Sequence, residues 1–242
     1  MDKVSFGYED VAPQEKTRRV HGVFSSVARR YDLMNDVMSG GLHRLWKDRF
    51  VSKVRPRRGE RILDMAGGTG DVAFRLARSG AEVTVADINA DMLGVGIERA
   101  KARGMEGLTW AEENAEKLSF GDAQFDAYTI AFGIRNVTHI DQALAEAHRV
   151  LKTGGRFYCL EFSQTNWPGF RTVYDRYSHD VVPRLGKLFA DDPESYRYLI
   201  ESIRRFPDMN VFAAMIRKAG FANVKAEPIL GGLVAIHSGW KI

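Results

Sequence analysis

Cysteine, long apolar runs and paired histidines are scarce in this sequence of 242 residues. The one cysteine, Cys159, excludes an internal disulfide and a cysteine-based metal or redox site. No stretch reaches the ~18 uninterrupted apolar residues of a membrane span, and the first residues, MDKVSFGYEDVAPQEK, lack the apolar core of a signal peptide. The six histidines include no pair at the i, i+4 spacing of a zinc-binding helix. We therefore expect a soluble, intracellular protein without a metal ion.

The composition fits one α/β domain. Hydrophobic residues make up 45% of the chain, enough to bury a sizeable core. The net charge of +4 is unevenly spread, since residues 1–60 carry 13 Lys/Arg against 8 Asp/Glu, whereas residues 61–165 carry 11 against 15. Such a basic excess suggests an anionic surface nearby, either phospholipid or nucleic acid, although a solvated face explains it as well.

Short β-rich runs alternate with helical periods from Arg61 onward, which is typical of βαβ units and a parallel sheet. We predict strands at 61–66, 82–87, 108–113, 125–132 and 155–163, with helices at 71–80, 89–104 and 140–151. Asn89 and Asp208 are the expected caps of two of the helices. Two final strands joined only by Leu230-Gly231-Gly232 must be antiparallel, because a parallel return needs a crossover of a dozen or more residues.

We expect one domain in four segments: an N-terminal helical segment (1–54), a nucleotide-binding core (55–165), a helical insertion (166–206) and a last helix with two strands (207–242). In the first segment, Leu42, Leu45, Trp46 and Phe50 have helical spacing. The whole predicts a doubly wound, seven-stranded, Rossmann-like α/β sheet with an antiparallel last strand. That is the layout of the class I methyltransferases that use S-adenosylmethionine.

A glycine-rich loop, AGGTGD (66–71), follows the first strand, where a doubly wound sheet places its ligand. The loop alone is ambiguous, because Gly68-x-Gly70-x-x-Ala73 also satisfies the dinucleotide fingerprint, so an NAD(P)-dependent oxidoreductase is an alternative. Electrostatics favours S-adenosylmethionine. Asp64 and Asp71 would repel a pyrophosphate at the helix N-terminus but attract an ammonium and a sulfonium, although Asp71 can also simply complement the helix dipole.

Two further positions follow later strands. Asp87 ends the second strand, where either nucleotide would present its ribose hydroxyls. Asn114 and Ala115 follow the third strand, and an amide there can donate and accept hydrogen bonds at an adenine edge, or serve only as a turn residue. The expected cofactor-binding residues are Asp64, Gly67, Gly68, Thr69, Gly70, Asp87, Asn114 and Ala115.

Nucleic acid is an improbable methyl acceptor. The segment after the fourth strand, Ala131-Phe132-Gly133-Ile134, lacks the Asn/Asp-Pro-Pro-aromatic turn of the enzymes that methylate exocyclic amines. Cys159 lies within a strand and not after a proline, unlike the nucleophile of the C5 enzymes, and is better explained as a small buried hydrophobe.

Five segments together resemble the ubiquinone/menaquinone biosynthesis C-methyltransferase family, in order and spacing. They are YDLMNDVMSGGLHRLWK (31–47), AGGTGD (66–71), FGIRNV (132–137), RVLKTGG (149–155) and LEFS (160–163). The resemblance implies methyl transfer from S-adenosylmethionine to a ring carbon of a polyprenylated benzoquinol or naphthoquinol. It also implies cofactor contacts at Thr69, Asp87, Asn114 and Ala115. Two positions depart from the pattern: Ala131 replaces a serine and Thr153 a proline.

The reaction requires that a quinol hydroxyl lose its proton and that the adjacent carbon meet the sulfonium methyl in line. Candidate acceptor-pocket residues are Tyr31, Asp32, Asn35, His43, Arg135 and Asn136, of which we expect Arg135, Tyr31 and Asn35 to take part in catalysis. Arginine can stabilise a phenolate or orient a water but cannot be the base. A small-molecule O- or N-methyltransferase is a further alternative.

A lipid quinol has to reach the site from a membrane, directly or through partner proteins. The N-terminal candidates for contact with anionic lipid are Lys16, Arg18, Arg19, Arg29, Arg30, Lys53, Arg55, Arg57 and Arg58. The predicted insertion, with Tyr174, Tyr177, Tyr196 and Tyr198, is expected to form a lid or a dimer contact. Peripheral membrane association and a homodimer or quinone-biosynthesis complex are therefore expectations, as is a cytoplasmic location.

Overall fold

The computed structural model describes residues 3–163 and 193–242. Its strands are β1 (Val4–Phe6), β2 (Glu9–Val11), β3 (Arg61–Met65), β4 (Glu82–Asp87), β5 (Leu108–Glu112), β6 (Phe125–Ala131), β7 (Leu151–Phe162), β8 (Ala222–Ile229) and β9 (Val234–Trp240). Its helices are α1 (Pro13–Val27), α2 (Tyr31–Ser39), α3 (His43–Val54), α4 (Asp71–Ala77), α5 (Ala90–Ala102), α6 (Ile140–Val150), α7 (Pro193–Arg205) and α8 (Met209–Lys218).

Seven strands form the central sheet in the order β5-β4-β3-β6-β7-β9-β8. The pairs β3–β4, β4–β5, β3–β6 and β6–β7 are parallel, and β9 is antiparallel to both β7 and β8. This confirms the predicted fold, including the antiparallel last strand, which lies between β7 and β8. The strand order reverses direction next to β3, and doubly wound sheets bind ligands beyond the carboxyl ends of the strands at such a point.

Both predicted helix caps are confirmed. The Asn89 side chain accepts a hydrogen bond from the Met92 amide at 3.1 Å, at the start of α5. Asp208 accepts from the Asn210 and Val211 amides at 2.8 and 3.0 Å, at the start of α8. Each cap satisfies amides that have no partner within their helix, so these residues set where the two helices begin.

Helices cover both faces of the sheet and bury its side chains. Phe50 of α3 and Leu160 of β7 belong to the core on one face, and Leu144 of α6 and Phe212 of α8 to the core on the other; all four are 0% exposed. Cys159 is also fully buried, as expected of a small hydrophobe. None of the helices in the described ranges is long and apolar enough to cross a membrane.

The first 54 residues differ from the prediction in two ways. A hairpin of β1 and β2 precedes the helices, where we expected helix alone. On α3, Trp46 and Phe50 are buried, but Leu42 and Leu45 are 39% and 65% exposed. The buried stripe of α3 includes His43 and Lys47 instead, because each has an acidic partner that offsets the cost of burying it.

The predicted helical insertion lies mostly outside the described residues, and so do Tyr174 and Tyr177. Its last part is α7, whose Tyr198 is buried and stacks on Phe6 of the hairpin with ring centroids 4.3 Å apart. The hairpin and α7 therefore pack against each other.

Four of the nine predicted basic residues of the N-terminal segment make contacts within the protein. Lys16 is buried, and its ammonium donates to the Val137 carbonyl at 2.9 Å. Arg18 and Arg19 both pair with Glu15 on the same helix. Lys53 pairs with Glu227 at 2.7 Å. Residue counts could not reveal these pairings, several of which join elements far apart in the sequence.

Candidate active site

A cleft lies at the carboxyl ends of β3, β4 and β6, with α1 along one side. Its floor is the glycine-rich loop between β3 and α4, and Asp64 and Asp87 lie at the strand ends beneath it. Thr17 and Phe24 of α1 line the opposite side. The cleft is thus at the position where the strand order predicts a ligand.

The loop brings backbone close to the cleft because it has almost no side chains. A side chain at Gly67 would place its Cβ 2.6 Å from Val85 Cγ1 and 2.9 Å from the Asp64 carbonyl oxygen. Gly68 has a φ of +52°, a left-handed conformation that favours glycine. Its amide donates to Asp87 at 2.9 Å, so the loop is tied to the end of β4.

Asp87 is the carboxylate best placed to accept hydrogen bonds from the hydroxyl groups of a ligand. It is 9% exposed, lines the cleft and accepts hydrogen bonds from the Gly68 and Asn89 amides, each at 2.9 Å. Burial raises its pKa to about 6, although those backbone hydrogen bonds pull the other way. Asp87 is therefore ionised at neutral pH and fixed in orientation.

Asp64 combines burial with an unused acceptor. The Thr129 hydroxyl donates to its Oδ1 at 2.7 Å, whereas Oδ2 is buried and has no hydrogen-bond partner among the described residues. Burial raises the pKa of Asp64 to about 7, although the Thr129 hydrogen bond and the Lys47 charge lower it. An unpartnered carboxylate oxygen at a cleft wall fits a cationic ligand group, which would supply the missing partner.

Asp71 does not contribute free negative charge to the cleft, contrary to the sequence argument. Lys47 of α3 donates to it at 2.9 Å, and Arg75 binds it from the next turn of α4. Although burial alone would raise it, these two cations lower the pKa of Asp71 to about 2. The acidic character of the cleft therefore comes from Asp64 and Asp87.

Asn114 and Ala115 line the cleft where predicted. The Asn114 Oδ1 atom accepts a hydrogen bond from the Glu116 amide at 2.9 Å, so its oxygen is engaged in a local turn. Asn114 thus shapes a turn and also lines the cleft, and its hydrogen bonds to an adenine stay a prediction.

A second group of polar residues lies beside the cleft, at the carboxyl ends of β6 and β7. Arg135 forms an ion pair with Glu161 at 2.8 Å, with the two side chains only 5% and 1% exposed. Tyr198 donates to Asn136 at 3.0 Å. The Nε atom of Arg135 is buried and has no hydrogen-bond partner within the described ranges. A cation with an unused donor can stabilise a developing anion here.

Tyr31, at the start of α2, borders both groups. Burial raises its pKa to about 12, although the Arg135 charge and a hydrogen bond to Asn35 lower it. Tyr31 and Asn136 line the cleft. Arg135 and Asn35 are not part of the cleft lining in the described ranges. The structure thus brings the three predicted catalytic residues together, with one of them at the cleft surface.

Hydrogen bonds hold α1 across the cleft at both ends. Lys16 bonds the Val137 carbonyl, and the next residue, Thr17, has its hydroxyl 3.3 Å from that of Thr138. About one turn further, the Asn89 side chain donates to the His21 carbonyl at 3.1 Å. The helix therefore covers the cleft, and its residues belong to the site.

Comparison with known proteins decides the family. The sequence model of the ubiE/COQ5 methyltransferase family matches residues 12–241. The chain belongs to this family. It is 67% identical over the whole of both chains to the ubiquinone/menaquinone biosynthesis C-methyltransferase UbiE of Zymomonas mobilis subsp. mobilis. It is 53% identical to the mitochondrial 2-methoxy-6-polyprenyl-1,4-benzoquinol methylase of Arabidopsis thaliana, covering 98% of this chain and 90% of that protein.

Solved structures agree on the fold of this ubiE/COQ5 family member. A SAM-dependent methyltransferase of Thermotoga maritima aligns with a TM-score of 0.67 at 19% identity, over 92% of this chain and 100% of that one. The [4+2]-cyclase SpnF aligns with a TM-score of 0.64 at 16% identity, over 92% and 94%. Since a cyclase shares the fold, the reaction follows from the family and not from the fold. The protein is an S-adenosylmethionine-dependent C-methyltransferase.

Three predicted site residues lie elsewhere. Asp32 pairs with Arg99 at 2.8 Å, and His43 is buried with its Nε2 2.9 Å from Asp36, so both stabilise packing between helices. Gly70 does not line the cleft in the described structure. It has a φ of +83°, and a Cβ there would lie 2.8 Å from Phe74, so its role is to begin α4.

Lys47 and Glu161 were missed as site residues. Both lie within segments that carry the family resemblance, but the sequence assigned no role to either. Their partners, Asp71 and Arg135, are 24 and 26 residues away, so no local spacing pointed to the pairs. Among the described residues, no group of three or more His, Cys, Asp or Glu could hold a metal ion.

Proposed function

We propose that this ubiE/COQ5 family member methylates a ring carbon of a polyprenylated benzoquinol or naphthoquinol. The observation that carries the proposal is the ion pair of Arg135 with Glu161, buried beside the cleft of a chain that is 67% identical to a ubiquinone/menaquinone C-methyltransferase. A buried cation next to the methyl-donor cleft suits an acceptor that reacts as a phenolate.

In the half of the cleft that would bind S-adenosylmethionine, Asp87 would accept hydrogen bonds from the ribose hydroxyls. Asn114 and Ala115 would border the adenine. The buried, unpartnered Oδ2 of Asp64 accepts from the ammonium group. Gly67 and Gly68 let the loop backbone approach, and Thr69 lies beside them in the lining. S-adenosylmethionine supplies the electrophilic methyl group, and these residues hold it facing the acceptor.

In the acceptor half, Tyr31 lies at the cleft surface and Asn35 orients its hydroxyl. The Arg135 charge lowers the pKa of a phenol nearby, so it favours the quinolate whose ring carbon is nucleophilic. Arginine stays protonated at neutral pH, so the hydroxyl proton leaves to a water or another base. Ala131 lines the cleft where the family has serine, which leaves its backbone to contact the donor.

The test is quinone analysis of a deletion strain. Loss of the gene should cause unmethylated benzoquinol, naphthoquinol or both to accumulate, and the wild-type chain should restore the methylated products. The Asp87→Ala variant should not restore them, while Asp91→Ala, on the next helix, should. If no unmethylated quinol accumulates, a soluble O- or N-methyl acceptor replaces the lipid quinol.

A polyprenyl tail partitions into a bilayer, so we propose further that the protein works at a membrane surface. Because Arg18, Arg19 and Lys53 are paired with acids, the basic N-terminal residues contribute less to attachment than their number suggests. Assembly into a homodimer or a quinone-biosynthesis complex is the other part of this proposal. Sedimentation of the purified protein, with and without vesicles, distinguishes the two routes.

A further inference from the structure

Residues 39–45 join the end of α2 to the start of α3; we call them the α2–α3 corner. Gly40 and Gly41 have φ values of +59° and +79°, and a side chain added at either would meet no atom within 4 Å. Leu42 and Leu45 follow and are 39% and 65% exposed. Apart from the C-terminal Ile242, Leu45 is the most exposed large apolar residue of the described structure.

A third exposed leucine lies on α2, ahead of the corner in the chain. Leu33 of α2 is 39% exposed and precedes Asp36 by one turn. Asp36 binds Arg44 of α3 at 2.7 Å and so ties α2 to the start of α3. Exposed leucines grouped in this way are unfavourable in water and mark an interaction surface.

The charge around the corner is complementary to anionic lipid. Residues 29–49 contain five Lys/Arg and three Asp. Each aspartate is bound by an arginine: Asp32 by Arg99, Asp36 by Arg44 and Asp48 by Arg75. No acidic side chain of this segment is left without a cation, and Arg29 is exposed. Arg49 and Lys53 share the single carboxylate of Glu227, at 3.9 and 2.7 Å, so these two cations still leave one positive charge in excess.

The same two helices line the active site with their other faces. Tyr31 begins α2 and Lys47 lies on α3, and both line the cleft. Lys47 and Leu45 are two positions apart on one helix, so they point to nearly opposite sides. Tyr31 begins α2 and the corner follows its end, so a bilayer that contacts the corner would lie about 14 Å, the length of α2, from the cleft lining.

We propose that the α2–α3 corner inserts Leu42 and Leu45 into the surface of an anionic bilayer and so brings the cleft to its substrate. The inference rests on the proposed function, since a lipid acceptor is what requires this contact. Leucines enter the boundary of the acyl chains while arginines meet the headgroups, as in other interfacial helices.

The first test measures binding to vesicles of phosphatidylcholine with phosphatidylglycerol. Leu42→Ser with Leu45→Ser should weaken partitioning at least tenfold, which corresponds to about 1.4 kcal/mol. The matched control is Val211→Ser on α8, a side chain 50% exposed far along the chain, and it should bind like the wild type. Added salt should weaken binding further. Wild-type partitioning by the double leucine variant overturns the proposal.

The second test compares two acceptors. The double leucine variant should methylate a short-chain, water-soluble quinol at the wild-type rate. It should lose most of its activity on a long-chain quinol in vesicles. A wild type that binds vesicles but methylates neither quinol refutes the proposed function and leaves the docking surface intact. If the double leucine change lowers the oligomer mass in sedimentation equilibrium but leaves vesicle binding unchanged, the corner contacts a second copy of the chain and the lipid proposal is wrong.

Discussion

Removing one member of the Arg135–Glu161 ion pair should destabilise the protein far more than removing both. The two side chains are 5% and 1% exposed and meet at 2.8 Å. Glu161 also accepts from the Phe162 amide at 2.8 Å, and Arg135 donates to the Phe132 carbonyl at 2.7 Å. Truncation of either side chain would leave the opposite charge buried and without its partner.

The expected cost follows from that burial. Breaking a buried ion pair by removing one member costs about 3–5 kcal/mol, whereas replacing both by apolar residues of similar volume is often neutral or stabilising. A domain is stable by only about 5–15 kcal/mol in total. Arg135→Met and Glu161→Leu should therefore each lower the free energy of unfolding severely, and the double variant should recover most of it.

Urea denaturation followed by circular dichroism measures these free energies, and the methyl-transfer rate measures function. The double variant should be stable and nearly inactive, because the charge that favours the quinolate is gone. The control is Lys152→Met, which breaks a half-buried pair with Asp126, far more exposed than Arg135 and Glu161, and should cost about 1 kcal/mol or less. The reasoning is refuted if the double variant is as unstable as the two single changes added together.

Three further outcomes can be checked. Burial raises the pKa of Asp64 to about 7 and that of Asp87 to about 6, so on the proposed function donor binding in calorimetry should weaken as the pH falls through these two values; Asp87→Asn should remove the dependence near pH 6 and leave that near pH 7. Gly96→Ala puts a Cβ 2.5 Å from Trp110 and should lower the unfolding temperature, whereas Gly94→Ala on the same helix meets no atom within 4 Å and should stabilise by about 0.5–1 kcal/mol. Asn89→Ala removes a cap and the contact to α1, so it should cost about 1 kcal/mol and speed hydrogen exchange in α1.

The fold could be predicted because its signals are local. Alternating β-rich and helical runs specify each βαβ unit, and the short Leu230–Gly232 link leaves β9 no geometry but antiparallel. Caps such as Asn89 act on amides two or three residues away, so their position in the sequence suffices. The carboxyl ends of parallel strands meet at one edge, which is why Asp64 and Asp87 were correctly placed together.

What the sequence did not predict depends on contacts between distant segments. The negative charge of Asp71 suggested attraction for a cation, but Lys47 and Arg75 neutralise it. Helical spacing placed Leu45 on the same face as the buried Trp46 and Phe50, but Leu45 is 65% exposed and Lys47 is buried, because an ammonium paired with a carboxylate can be buried. The β1–β2 hairpin is too short for a periodic signal, and its packing partner α7 lies about 190 residues away.

The most direct test of the central claim is to follow a labelled methyl group. Purified protein would be incubated with S-adenosylmethionine carrying a carbon-13 methyl and with a short-chain unmethylated quinol, and the product examined by NMR. The account predicts label on a ring carbon, with loss of the hydrogen at that position, and no product from Asp87→Ala. Label on a hydroxyl oxygen, or none on the quinol while another acceptor is methylated, would contradict it.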